Sequence, residues 1–368
     1  MTSELLTDTV WYALAFLTSA ALALYVTPLT IRVARTFKIQ DTPDGRLKKH
    51  TEPTPYLGGL AVAAAFMVAF GLLSTAATTN NNQVMGILVG GLMVLLLGLY
   101  DDLTNLRPSV KFLGQLLAAV VIYKAGVKVD ITHTPDLEWV DMLLTMLWIT
   151  GVANALNIID VMDGLAAGTA FIAAMFLFVI SASVFSLGLG GQRVVPFMAI
   201  TLAGALLGYL KFNYHPARIF LGDTGSLFIG FLLGALSMVA AYSEINRIAI
   251  VTPVVLLAIP IFDTVFVAWH RARKGIPFFQ GSPDHFALRL RHAGMSVPTI
   301  VRRTYAVAIV LGSIAIGLVY ADPEVVPWLL GIVGVMSIAS AVLLSRLPAP
   351  GDRPRAEQSP AALPEVDA

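Results

Sequence analysis

The sequence predicts an all-α polytopic membrane protein of about eleven transmembrane helices, N-terminus outside and C-terminus cytoplasmic. Three observations predict it. Of its 368 residues, 57% are hydrophobic and 13% charged, roughly half the charge fraction of a soluble domain. Apolar runs of ~20 residues, enough to cross a bilayer, recur from end to end, without the alternation of a transmembrane barrel. Finally, 20 of the 24 lysines and arginines fall on one side of the spans so drawn, leaving only Lys124, Lys128, Arg193 and Arg247 on the other. That bias marks the richer side as cytoplasmic.

In order, the spans read as residues 11–33, 57–75, 84–100, 110–125, 140–157, 164–187, 194–210, 224–242, 248–269, 300–320 and 326–344. The N-terminus MTSELLTDTV has no basic stretch before its apolar run, so the first span reads as retained. Pro260, inside the ninth span, should kink it. The outer segment 128–139 suits a small strand pair or an interfacial stretch. Residues 1–346 read as one transmembrane catalytic domain and 347–368, rich in proline and charge, as a disordered cytoplasmic tail. There is no cysteine, which excludes disulfides, thiolate metal sites and a cysteine nucleophile. A net charge of +1 gives no sign of a nucleic-acid partner.

Five polar stretches share the cytoplasmic side. Residues 41–59, DTPDGRLKKHTEPTPYLGG, carry the cationic knot Lys48-Lys49-His50. It reads equally as a lipid-headgroup anchor or a phosphate clamp. Gly58-Gly59 would let backbone approach a ligand. Residues 100–115, YDDLTNLRPSVKFLGQ, place Asp101 beside Asp102. Adjacent carboxylates repel unless a cation or proton separates them, and on a helix they point about 100° apart, so different roles are expected. Lys111, one turn inside a span, either snorkels outward or binds an anion.

Residues 154–168, NALNIIDVMDGLAAG, step Asn154, Asn157, Asp160 and Asp163 at intervals of three. They suit a metal or substrate site better than interhelical hydrogen bonding alone. Residues 219–228, IFLGDTGSLF, put Asp223 at the mouth of the eighth span, where Asp223 or Thr224 could also cap the helix. Residues 281–296, GSPDHFALRLRHAGMS, gather Asp284, His285, Arg289 and Arg291. That loop is either a solvated basic segment or a bidentate diphosphate grip. Oxygen ligands without thiols or a histidine cluster favour Mg²⁺ or Mn²⁺.

These motifs, in this order over about residues 10–345, resemble the polyprenyl-phosphate N-acetylhexosamine-1-phosphate transferases. The resemblance implies a ten- or eleven-helix bundle with a cytoplasmic active site in the bacterial inner membrane. It implies a Mg²⁺-dependent transfer of a sugar 1-phosphate from a UDP-N-acetylhexosamine to undecaprenyl phosphate, releasing UMP. It implies Asp223 and Asn157 as metal ligands, and Asp101, Asp102, Asp160 and Asp163 as catalytic carboxylates, with Asp101 favoured to deprotonate the lipid phosphate. Lys48, Lys111 and Arg289 would bind phosphate. Asn154, Phe220, His285 and Arg291 would face the nucleotide or sugar. A homodimer would suit such a bundle, although no motif demands one.

The KKHTEPTP loop is more similar to the N-acetylglucosamine branch than to the muramoyl-pentapeptide branch. Tyr56 stands where arginine is common, and the His-x-His cluster of the last loop is reduced to His285. Two other classes were weighed. An intramembrane aspartyl protease would share Tyr100-Asp101 and Leu221-Gly222-Asp223, but Phe220 replaces a glycine it requires. A secondary transporter would place ionisable groups at mid-membrane and repeat half its chain; neither feature is present.

Overall fold

In a computed structural model, the described residues are 3–41, 53–74, 82–132, 134–189, 191–240, 242, 245–277 and 282–349. Lys48, the cationic knot and the tail beyond 349 lie outside them.

Thirteen helices and one two-residue ladder make up the described chain. They are α1 (Ser3–Thr36), β1 (Gln40–Asp41), β2 (Thr54–Pro55), α2 (Gly58–Leu73), α3 (Asn82–Thr104), α4 (Pro108–Lys124), α5 (Glu138–Ile159), α6 (Leu165–Ser186), α7 (Val194–Asn213), α8 (Gly222–Val239), α9 (Thr252–Leu256), α10 (Ala258–Lys274), α11 (Phe286–His292), α12 (Val297–Tyr320) and α13 (Val326–Ser345). Ten of the eleven predicted spans each fall on one helix, and the ninth falls on a bent pair. Eight are long and apolar enough to cross a membrane, or nine if the bent pair formed by residues 248–256 and α10 is one span. α2 and α4, with 16 and 17 residues, are shorter. The protein is thus a helical, multi-pass membrane protein by length and composition.

The ninth predicted span is broken rather than kinked at Pro260. The chain bends by 73° between Leu256 and Ala258. Pro260 lies in the first turn of α10 and has no N–H to return to the Leu256 carbonyl, so that link of the ladder is missing at the bend. Among the described residues the outer segment forms no strand pair. A short turn at Pro135–Leu137 leads into α5, and Asp141 accepts hydrogen bonds from Ile131 N, Thr132 N and the Thr132 hydroxyl.

α8 is the centre of the bundle, packed on α2, α3, α5, α6 and α7. Its sequence, GDTGSLFIGFLLGALSMV, buries Thr224 through Ser237 without a break. Small residues let the neighbours approach: a Cβ on Gly225 would lie 2.7 Å from the Gly59 Cα of α2. The close approach expected of Gly58-Gly59 is therefore to another helix. Gly58 N and Gly59 N donate to the Phe220 and Leu221 carbonyls at 3.0 and 2.9 Å. α1 lies across α7 and α2, and α12 covers α6. α13 is peripheral, with only Val326 buried.

Candidate active site

The first turn of α8 fixes the site. A helix N-terminus leaves backbone N–H groups without partners, and here α3 supplies the acceptor. Both Asp102 carboxylate oxygens are used, by Asp223 N at 2.9 Å, Thr224 N at 3.0 Å and the Thr224 hydroxyl at 2.5 Å. The turn before them needs Gly222, whose φ is +71°. The cap expected from Asp223 or Thr224 is thus provided by Asp102, which joins two helices. Asp102→Ala is expected to cost about 0.5–2 kcal/mol of stability, as the loss of a cap does. A thermal melt in detergent would read this; an unchanged midpoint would contradict the capping role.

Asp101, on the next face of α3, accepts from Leu106 N at 2.6 Å and holds Lys111 Nζ at 2.9 Å. Lys111 also pairs with Asp223 Oδ2. The lysine does not snorkel; it bridges two carboxylates of different helices. The other Asp223 oxygen accepts from Asn157 Nδ2 at 2.6 Å, and that amide also donates to Ser226 Oγ at 2.9 Å. Four helices, α3, α4, α5 and α8, therefore meet at Asp223.

Asn154 lies one turn deeper on α5. It forms an amide pair with Gln115 of α4, and its Nδ2 also donates to Thr150 O at 2.7 Å. These contacts bind helix to helix, so a nucleotide or sugar contact would require them to open. Gln115, one turn after Lys111 and 1% exposed, was legible only as a lone amide in an apolar run.

The turn between α5 and α6 carries the other two aspartates. Asp160 is half-buried, and no hydrogen bond to its carboxylate occurs among the described residues. Burial, then the charges of Asp223, Asp102 and Asp163, push its carboxyl up to about 7. Asp163 Oδ2 receives His215 Nδ1 at 2.7 Å and Ala217 N at 3.1 Å. Asn213, 3% exposed, accepts from Gly164 N at 3.1 Å and donates to Ile219 O at 3.0 Å. Tyr305 OH donates to Gly164 O at 2.5 Å. Asn213, His215 and Tyr305 were not singled out from sequence, because the turn they hold, Asp163-Gly164, lies 49 to 141 residues away.

Phe220 is half-buried, with its N donating to Pro55 O at 2.7 Å. The last loop forms its own cluster. Asp284, fully buried, receives Ser282 Oγ at 2.6 Å, Lys274 Nζ at 2.9 Å and Arg289 at 2.6 Å. Burial alone would raise its carboxyl, but these hydrogen bonds outweigh it and hold it at about 2. Arg289, 3% exposed, also donates to Leu347 O at 2.7 Å and stacks on Phe266. Its guanidinium is a strut between α11 and the end of α13, so the phosphate contact expected of it would require these bonds to open. His285 is likewise turned inward, its Nδ1 2.8 Å from the buried Asp263. Arg291 is exposed.

The comparisons bear on this geometry. A model described as glycosyl transferase family 4 matches residues 84–241, the stretch holding Asp101, Lys111, Asn157, Asp160, Asp163 and Asp223. A probable undecaprenyl-phosphate N-acetylglucosaminyl 1-phosphate transferase of Bacillus subtilis (strain 168) is 35% identical over 308 residues, 82% of this chain and 83% of the relative. A decaprenyl-phosphate N-acetylglucosaminephosphotransferase of Mycolicibacterium smegmatis is 31% identical over 362 residues, 90% of this chain and 88% of the relative. A phospho-N-acetylmuramoyl-pentapeptide-transferase of Heliobacterium modesticaldum is 32% identical over 335 residues, 84% of this chain and 97% of the relative. With relatives of this identity aligned over most of both chains, and the polar junction inside the matched stretch, the protein belongs to glycosyl transferase family 4.

Proposed function

We propose that the chain transfers N-acetylglucosamine 1-phosphate from UDP-N-acetylglucosamine to undecaprenyl phosphate, at the cytoplasmic face of a bacterial inner membrane. The reaction releases UMP and leaves a lipid-linked diphosphate sugar, the first membrane step of a cell-envelope polysaccharide. The observation that carries this reading is the junction of Asp101, Lys111, Asn157 and Asp223 at one end of the bundle.

The residues present suit Mg²⁺. Among the described residues no three histidine, aspartate or glutamate side chains form a complete cage, and Mg²⁺ is usually held by one or two carboxylates together with substrate phosphates. Asp223, with Asn157, would hold it. When bound, the metal offsets the negative charge of the diphosphate. Asp101 takes the proton of the lipid phosphate. An oxygen of that phosphate then attacks the sugar-bearing phosphorus, and the P–O bond to UMP breaks. Lys111, beside both carboxylates, would neutralise phosphate charge. A lysine between Asp101 and Asp223 also argues against a proton-sharing aspartyl protease pair.

The relatives named for muramoyl-pentapeptide transfer favour one second reading, with the pentapeptide donor in place of the simple sugar. UMP release by purified protein, with undecaprenyl phosphate and a panel of UDP-sugars, separates the two. Release with UDP-N-acetylglucosamine, lost on adding EDTA, is the expected result. Release only with the pentapeptide donor would reassign the branch, and release with none would overturn the reading.

Asp160 adds a pH test. Its raised pKa, about 7, means that the carboxylate forms only as pH rises through that value. Activity that needs the carboxylate should climb across pH 7, and Asp160→Asn should remove that limb. A limb that persists in the variant would belong to another group, such as the lipid phosphate.

A further inference from the structure

His215 has no part in the chemistry above, yet it is held as carefully as the residues that do. It lies in the connection from α7 to α8, which is stapled to the acidic turn 160–164 at several points. Ala217 N reaches Asp163 at 3.1 Å, and Asn213 spans from Gly164 N to Ile219 O. Within the connection, Arg218 N donates to Phe212 O at 2.8 Å. The backbone under His215 is therefore fixed relative to Asp160 and Asp163.

The imidazole is fixed as well. Nδ1 is 2.7 Å from Asp163 Oδ2, so this nitrogen carries the proton that the carboxylate accepts. The ring nevertheless stays open, at 38% side-chain exposure, with no partner for Nε2 among the described residues. A histidine oriented by a carboxylate through one nitrogen, with the other free and exposed, is arranged to meet a ligand. Lys211, in the last turn of α7, and Arg218, in the connection, are exposed cations flanking it in sequence.

We infer that His215 is a substrate-binding residue whose Nε2 donates a hydrogen bond to a phosphate oxygen of the nucleotide-sugar donor, with Asp163 as its positioning partner. The inference rests on the transferase reading. The anion itself favours the proton on Nε2. The donor is preferred over the lipid phosphate because His215 lies beyond the end of α7, on an exposed connection that a water-soluble ligand reaches without entering the apolar spans.

The test is steady-state UMP release by full-length protein in detergent, with each substrate varied in turn. His215→Ala should raise the KM for UDP-N-acetylglucosamine about tenfold, leave kcat within about threefold, and leave the KM for undecaprenyl phosphate unchanged. These magnitudes suit one lost charge-assisted hydrogen bond. His215→Gln, which keeps a donor near Nε2, should recover most of the donor affinity. An unchanged donor KM in the alanine variant would overturn the inference, as would a rise confined to the lipid KM. A fall in kcat with an unchanged donor KM would overturn it too. Should the alanine variant melt well below wild type, His215→Gln and His215→Asn at matched melting temperature decide instead: the inference fails if their donor KM values do not differ. Wild-type protein that releases no UMP with any donor would sink the transferase reading itself, a result distinct from all of these.

Discussion

Asp223→Asn is expected to lower UMP release at least about a hundredfold at saturating Mg²⁺, while the protein stays folded. The reasoning is local. One Asp223 oxygen accepts from Asn157 and the other pairs with Lys111. An amide keeps the shape but loses the negative charge, and it places an NH₂ against one of those two donors. Losses of about 10²–10³ are typical when a single preorganised electrostatic group is removed from an active site. The cap of α8 is untouched, because Asp102 receives the backbone N–H of residue 223 and not its side chain. The melting temperature should therefore change far less than turnover. Near-normal turnover in a folded variant would remove Asp223 from the reaction.

Lys111→Met is the second large effect. The substitution keeps the apolar stem and deletes the ammonium that now lies between Asp101 and Asp223. In the proposed reaction this costs the phosphate its cation, worth about 1.5–3 kcal/mol for a charge-assisted hydrogen bond. That corresponds to roughly ten- to a hundredfold in kcat/KM. It also leaves two carboxylates facing each other without the cation between them, so a lower melting temperature should accompany the kinetic loss. Kinetics with lipid phosphate varied, alongside melts, would read both. A variant with unchanged kcat/KM would place Lys111 among groups that hold the helices together and nothing more.

Much of this was legible beforehand because membrane helices announce themselves. Within hydrocarbon a backbone must satisfy its own hydrogen bonds, so each apolar run but the broken ninth forms one helix, and polar residues at the run ends mark the site. Periodicity could also separate Asp101 from Asp102, since neighbouring helical positions diverge by about 100°. It could not say which of the two meets Lys111 and which meets α8. That depends on α8 presenting its bare N-terminus to Asp102, a contact across 121 residues. The last loop was the harder case. His285 and Arg289 read as substrate groups, but Asp263, Asp284 and the end of α13 draw them inward.

What the sequence by itself determined is the class of protein, the order of its helices and the acidic, oxygen-rich character of the site, because these follow from hydrophobicity and residue chemistry along the chain. Only the tertiary structure decided that Lys111 bridges Asp101 and Asp223, that Asp102 caps and Arg289 braces, and that Asp163 orients His215. A side chain's role is set by which partner satisfies its charge, and here those partners come from other helices.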